Sequence, residues 1–252
     1  MKSFIKILSI SGRRSIDALI PPLCPLTDER IGAPGGLSAA GWGRLHFLDD
    51  PLCVRCGAPF AHDFGADAEC AACIASPPDF DRARAAVAYD DASHGLIVSF
   101  KHADRTDLAP MFAGWLRRAG AGLFSADAMV APAPLHRRRL FARRYNQAAM
   151  LAGLLARDAG LAFAPGLLTR VRATPPQKEL SADARRRNVA GAFAVGAPFA
   201  DAVAGAHVIL IDDVLTTGAT LSACARTRRR AGAARVDALV IARVMRGGPT
   251  LG

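Results

Sequence analysis

The stretch from His207 to Thr220, HVILIDDVLTTGAT, holds side chains that together can grip a ligand bearing both hydroxyls and a phosphate. Val208, Ile209, Leu210 and Ile211 form a short β-branched-rich run of the kind found in strands buried on both faces of a parallel sheet. Asp212 and Asp213 come next, at the carboxyl end of that strand, where open α/β sheets bind ligands. Thr216, Thr217, Gly218, Ala219 and Thr220 then form a turn whose hydroxyls and backbone N–H groups can converge on one anion. A helix opening near Ala219 adds its unpaired N-terminal donors and positive dipole end. Two carboxylates beside an anion cradle would repel the ligand unless they face vicinal hydroxyls or a bound cation.

Ribose 5-phosphate carries both features. The run resembles the phosphoribosyl pyrophosphate (PRPP) signature of type I phosphoribosyltransferases, in which an apolar strand, two acidic residues and a T-T-G-x-T turn occur in that order. The resemblance implies that Asp212 and Asp213 hold the ribose 2- and 3-hydroxyls and that the loop from Thr216 to Thr220 wraps the 5-phosphate.

A second chemistry is written in the cysteines. Five of the six lie before residue 74. Cys53 and Cys56 form one C-x2-C pair and Cys70 and Cys73 another, thirteen residues apart. Each pair can present two thiolates from a tight turn, so the four complete a closed tetrahedral Zn(II) site of structural type. Four free or disulfide-bonded thiols and an iron–sulfur cluster are the competing readings. His62 lies between the pairs and is not needed for a four-thiolate site. A fainter repeat precedes the pairs: Leu23 to Trp42 runs parallel to the later segment, aligning Cys24 with Cys53, Thr27 with Cys56, Ser38 with Cys70 and Gly41 with Cys73. Thr, Ser and Gly cannot replace thiolate on zinc, so this first knuckle (23–42) is expected to keep the turns of a ribbon without metal. The alternative is that Cys24 is a small apolar side chain in a loop.

The elements that must position these residues alternate along the second part of the chain. Ala85–Tyr89, Ala128–Ala131, Ala192–Val195, Val208–Ile211 and Val236–Val244 read as strands. Gly95–His102, Leu108–Ala119, Asn146–Asp158, Ala182–Asn188 and a segment from Ala219 to Arg230 read as helices. Such alternation implies a parallel sheet covered by helices, an α/β fold. The expected division is a cysteine ribbon over 1–80 and an α/β domain over 81–252. Charge divides at the same place: seven Lys and Arg against nine Asp and Glu before residue 81, twenty-five against thirteen after it. A basic field of that kind suits pyrophosphate, nucleotides or a nucleic-acid backbone. Arg outnumbers Lys twenty-eight to four, so a general bias toward Arg contributes to it. No apolar run is long enough to span a membrane, and the N-terminal stretch has no signal-peptide pattern. A short amphipathic helix is expected from Ile16 to Ile20, ended by Pro21 and Pro22, and the expected location is cytoplasmic.

The segment after the 128–131 strand narrows the family. P-x-P-L-H-R-R-R, then R-x-Y-N-Q-A, then T-P-P-Q-K-E-L-S-x-x-x-R-R-x-N-V-x-G-A-F, together with an N-terminal cysteine ribbon, resembles the ComF family of competence and DNA-utilisation proteins from about Ile16 to Val244. The resemblance implies a type I phosphoribosyltransferase fold preceded by a zinc ribbon. It places Arg139, Arg143, Asn146 and Gln147 near the pyrophosphate, and Gln177, Leu180, Arg187 and Asn188 in a hood that closes over the substrate. Lys101 also matches a family position, although a lysine there reads first as a surface residue. The chain departs from the pattern at Arg144 and Tyr145, where the family more often has Gly-Phe, and in its incomplete first knuckle.

The implied chemistry is transfer of the phosphoribosyl group to a nitrogen nucleophile with Mg(II) bridging pyrophosphate and ribose oxygens. The protein supplies positioning and charge neutralisation. Asp213 is the expected supporting base and Asp212 the hydroxyl binder. The alternative is a phosphoribosyltransferase-fold module that senses PRPP, or that binds single-stranded DNA or DNA-uptake proteins through its ribbon and basic face. Cys224 reads as a buried small side chain.

Overall fold

Parallel strands have to be joined by crossover connections, usually helical, because a short turn cannot return the chain to the same end of the sheet. The computed structural model describes residues 21–102, 105–135, 145–172 and 182–245. Its elements are α1 (Ala39–Gly43), α2 (Ala71–Ala75), β1 (Ala83–Ala88), α3 (Asp91–His102), α4 (Ala109–Ala119), β2 (Ala128–Pro132), α5 (Gln147–Ala159), β3 (Ala162–Phe163), β4 (Leu168–Arg170), α6 (Ala182–Val189), β5 (Phe193–Val195), α7 (Ala200–Val203), β6 (His207–Leu215), α8 (Ala219–Arg230) and β7 (Arg235–Arg243). Five strands form one sheet in the order β1-β7-β6-β2-β3, every neighbouring pair parallel.

The signature strand β6 is the middle strand, and both its faces are covered. Val208 and Leu210 belong to the apolar cluster shared with Leu221, Cys224 and Ala225 of α8. Ile209 and Ile211 belong to the cluster built by Leu96, Ile97 and Phe100 of α3, Phe112 and Leu116 of α4, and Leu151 and Leu155 of α5. This is the period-two alternation of a doubly covered strand. It slips at the Asp pair: Val214 packs with the cluster of Ile209, and Leu215 joins that of Val208.

Helix α5 follows its sequence signals closely. Asn146 caps it, its side chain accepting from the Ala149 N–H at 3.3 Å, and Gly160 ends it in the left-handed region at φ 68°.

Three expectations are corrected. The strand read over Val208–Ile211 continues to Leu215, because β7 keeps pairing with it through Asp212↔Val240, Val214↔Ala242 and Leu215↔Arg243. The aspartates therefore lie inside the strand rather than after it. The strand read over Ala192–Val195 is β5, which leaves the parallel sheet and pairs antiparallel with β4, Leu168↔Val195 to Arg170↔Phe193. Helix α3 begins at Asp91 rather than Gly95, since the Asp90 carboxylate accepts from the Ser93 N–H at 2.9 Å and caps an earlier turn. The expected helix over Ile16–Ile20 lies outside the described residues. No helix among the described residues is long and apolar enough to cross a membrane.

Candidate active site and metal centre

The middle strand delivers Asp212 and Asp213 to the carboxyl side of the sheet, and the chain then turns into α8 through Thr216, Thr217 and Gly218. Gly218 takes φ +76° at the mouth of the helix, a conformation L side chains rarely adopt. The Thr217 hydroxyl accepts from the Ala219 N–H at 3.4 Å. Thr216 is exposed, while Thr217, Gly218 and Thr220 are half-buried, so the turn is open to solvent above the start of α8.

The two carboxyls differ in surroundings. Asp212 accepts from the backbone N–H of Asp213 at 2.9 Å. Burial, and then the neighbouring Asp213 charge, push its pKa up to about 7, against opposing contributions from that N–H, Lys101 and Arg170. Asp213 meets the Lys101 ammonium of α3 at 2.8 Å, with both side chains about four-fifths buried.

A cavity of about 550 Å³ lies between the chain leaving β2 and the β4 region, lined by Pro134, Asn146, Pro165, Thr169 and Arg170 among others. The Arg170 guanidinium stands 5.4 Å from the Phe193 ring centroid. Neither Arg170 nor the pairing of Lys101 with Asp213 carried a motif; a basic residue closing a three-residue strand gives no signal in one sequence.

Among the residues expected near pyrophosphate, Asn146 faces this cavity as well as capping α5. Gln147 is turned inward, 2% exposed, and its Nε2 donates to the Lys101 carbonyl at 3.1 Å. Tyr145 donates its hydroxyl to the Phe100 carbonyl at 2.8 Å. The Y-N-Q segment thus ties down the end of α3. In the expected hood, Arg187 is exposed on α6, and Arg172 donates to the Asn188 carbonyl at 3.1 Å. Arg139, Arg143, Gln177 and Leu180 lie outside the described residues. Cys224 is fully buried beneath Asp212, where burial raises its thiol pKa.

The four cysteines of the second knuckle come together. Their Sγ atoms all lie within 4.8 Å of one another, and Cys56 and Cys70 are 3.6 Å apart. Tetrahedral Zn–S bonds of about 2.3 Å place sulfurs just under 4 Å apart, so the set fits Zn(II) and is too open for a disulfide. Backbone N–H groups of Cys56 and Cys70 point at the Cys53 sulfur at 3.5 and 3.3 Å. Arg243, at the end of β7, donates to the Cys56 carbonyl and sulfur, and Arg84 donates to the carbonyls of Cys53 and Val54. A cavity of about 490 Å³ separates the knuckle from the Thr216–Gly218 turn, with Phe60, Phe80 and Arg243 in its wall.

The first knuckle repeats the second bond for bond. Cys24 N–H to Glu29 O matches Cys53 N–H to Ala58 O, and Asp28 N–H to Cys24 O matches Gly57 N–H to Cys53 O. Asp28 and Gly57 share a positive φ, 56° and 66°. Ser38 and Cys70 precede the matching short helices α1 and α2. Where the second knuckle converges four sulfurs, the first places the Thr27 hydroxyl 2.9 Å from that of Ser38, which accepts from the Gly41 N–H at 3.0 Å. A Cβ built on Gly41 would stand 2.8 Å from the Cys24 sulfur, so the space a metal would need is closed. The purified chain is expected to hold one zinc by elemental analysis; two per chain would contradict the hydrogen-bonded first knuckle.

The double zinc ribbon domain family matches residues 15–74. DNA utilization protein YhgH of Salmonella typhimurium is 34% identical over 200 residues, 77% of this chain and 85% of its own length. The Escherichia coli protein of the same name is 32% identical over 221 residues, 83% and 94%. Competence protein F of Haemophilus influenzae is 27% identical over 216 residues, 80% and 94%. Among solved structures, glutamine PRPP amidotransferase from B. subtilis is 19% identical over 52% of this chain, with a TM-score of 0.35. The matched part is a quarter of that enzyme. HGPRT-ase from Leishmania tarentolae is 16% identical over 59% of this chain and 66% of its own, with a TM-score of 0.30. Scores of that size add no weight of their own. Identity above 30% over most of the length of the relatives shows the family: a zinc-ribbon chain with an α/β domain built on a parallel sheet, this protein belongs to the ComF family that includes YhgH and competence protein F.

Proposed function

We propose that this chain binds PRPP with Mg(II) and transfers its phosphoribosyl group to a nitrogen acceptor, in the service of DNA uptake or utilisation in the cytoplasm. The observation that carries the reading is the juxtaposition on β6 and α8. Two carboxyls suited to the ribose 2- and 3-hydroxyls are followed, three residues on, by a hydroxyl-rich turn at a helix start suited to the 5-phosphate. The diphosphate then falls toward the cavity bordered by Asn146, with Arg139 and Arg143 as its proposed partners and Gln177, Arg187 and Asn188 as the hood. When bound, Mg(II) would neutralise diphosphate charge and be held by the ligand's oxygens with the Asp212–Asp213 pair.

In the transfer, the bond from the anomeric carbon to the diphosphate oxygen breaks, a bond to nitrogen forms, and the nitrogen releases a proton. Asp212, with its pKa raised to about 7, suits that proton better than Asp213, which faces Lys101. This reverses the roles expected from sequence. Calorimetric titration with PRPP and Mg(II) should give saturable binding to the wild type and none to the Asp212→Asn, Asp213→Asn double variant. Wild-type chain that shows no Mg-dependent heat overturns the reading.

The basic excess after residue 80 and the names of the relatives favour a second reading, in which PRPP is sensed while the ribbon and basic face hold single-stranded DNA or an uptake protein. Binding to single-stranded DNA that weakens steeply with salt would support it.

A further inference from the structure

Lys101 occupies the Asp213 carboxylate that the proposed site gives to a ribose hydroxyl. We infer that its ammonium belongs to the sugar–diphosphate site, holding Asp213 while the site is empty and passing to the diphosphate when ribose hydroxyls take the carboxylates. This rests on the PRPP reading above.

The ammonium lies 2.8 Å from the Asp213 carboxylate in a setting about four-fifths closed to solvent. A hydroxyl arriving at Asp213 competes for the oxygen that the ammonium occupies, and a part-buried ammonium that loses its close partner is costly. A second anion within reach gives the displaced ammonium a new partner. The diphosphate hangs from the carbon next to the one bearing the 2-hydroxyl, so it is within the swing of a four-carbon side chain.

The residue type fits a moving charge. The chain uses Arg twenty-eight times and Lys four times, and Lys101 is the one lysine among the described residues. A guanidinium would grip Asp213 in a planar fork, whereas an ammonium is a point charge on a flexible stem. Its base, by contrast, is fixed. Tyr145 and Gln147 bond the carbonyls of Phe100 and Lys101 at 2.8 and 3.1 Å. Those bonds occupy acceptors that a helix end otherwise leaves unpaired. The Y-N-Q segment so anchors the stem and leaves the tip free to change partners.

The test compares two ligands, Mg–PRPP and ribose 5-phosphate, by calorimetry on wild type, Lys101→Met and Lys101→Arg, each checked for an unchanged melting profile. Wild type should bind both. Lys101→Met, which keeps the stem and loses the charge, should weaken PRPP by about tenfold or more and leave ribose 5-phosphate unchanged or tighter. Lys101→Arg should weaken both, because the fork competes for Asp213. Equal losses for the two ligands in Lys101→Met, or no loss in either, overturn the inference, with Lys101 then merely holding Asp213. Wild type that binds neither ligand overturns the PRPP reading and this one with it. A Lys101→Met chain that melts early leaves Lys101→Arg to decide: unchanged affinity for both ligands there also overturns it.

Discussion

Stripping the metal with a strong chelator, or replacing Cys73 by Ser, is expected to lower the melting temperature by ten degrees or more and to unfold the second knuckle outright. Apart from polar bonds from Arg84 and Arg243, the knuckle has little apolar packing of its own. Between Cys53 and Cys73 the described side chains are mostly exposed or half-buried, and Phe64 and Phe60 meet only each other's rings. Structural zinc contributes apparent binding energies of about 10–16 kcal/mol in small ribbons. The first knuckle supplies the control within the same molecule. There the Thr27–Ser38 hydrogen bond occupies the centre, and Thr27→Val should cost only about 1 kcal/mol, the same with and without chelator. Scanning fluorimetry with and without chelator on the three proteins checks the pair of statements. A wild-type profile unmoved by chelator would remove zinc from the account of stability.

Asp212→Asn is expected to do two opposite things: abolish PRPP binding and stabilise the ligand-free chain above neutral pH. The carboxyl has a folded-state pKa of about 7, raised by burial and by Asp213, against an unfolded value near 4. A raised acid favours the fold while protonated, so its contribution is full below about pH 4 and is lost as pH climbs through about 7. By pH 8 the wild type gives up a few kcal/mol, which the unionisable amide does not. The difference in melting temperature between variant and wild type should thus be near zero at pH 4.5 and positive at pH 8. Asp213→Asn should behave otherwise, since it strands the Lys101 ammonium and destabilises at both pH values. A difference for Asp212→Asn that is flat across this range would contradict the raised carboxyl.

What the sequence reveals about this chain follows from how local the determining contacts are. The strand, Asp pair and turn are contiguous, so composition and order suffice to read them, and the cap at Asn146 is a property of one residue and its third neighbour. The slip of β6 at Asp212 and Asp213 is invisible because it depends on β7 continuing to pair. The β4–β5 pair escapes because three residues carry no periodicity. The motif places Gln147 near the ligand and marks Tyr145 only as a departure from the family pattern. The atoms they hold are carbonyls forty-five and forty-six residues earlier, and a backbone acceptor leaves no trace in the identity of its residue. The match of the two knuckles was legible because repeats preserve spacing; its hydrogen-bonded centre emerges only when Thr27, Ser38 and Gly41 are brought together in space.

The strand β1 closes one side of the sheet, and the segment leading out of the first knuckle lies along it: Leu48 N–H bonds the Ala86 carbonyl at 3.0 Å, Ala88 N–H bonds that of His46 at 2.8 Å, and Phe47 bridges Val87. A bare outer strand is a template for pairing with other chains. Residues 46–48 thus cover part of that edge, and a chain lacking residues 1–80 is expected to expose unpaired amides along β1. Loss of the knuckles would then surface first as clumping in concentrated solution, before any defect in ligand handling could be measured.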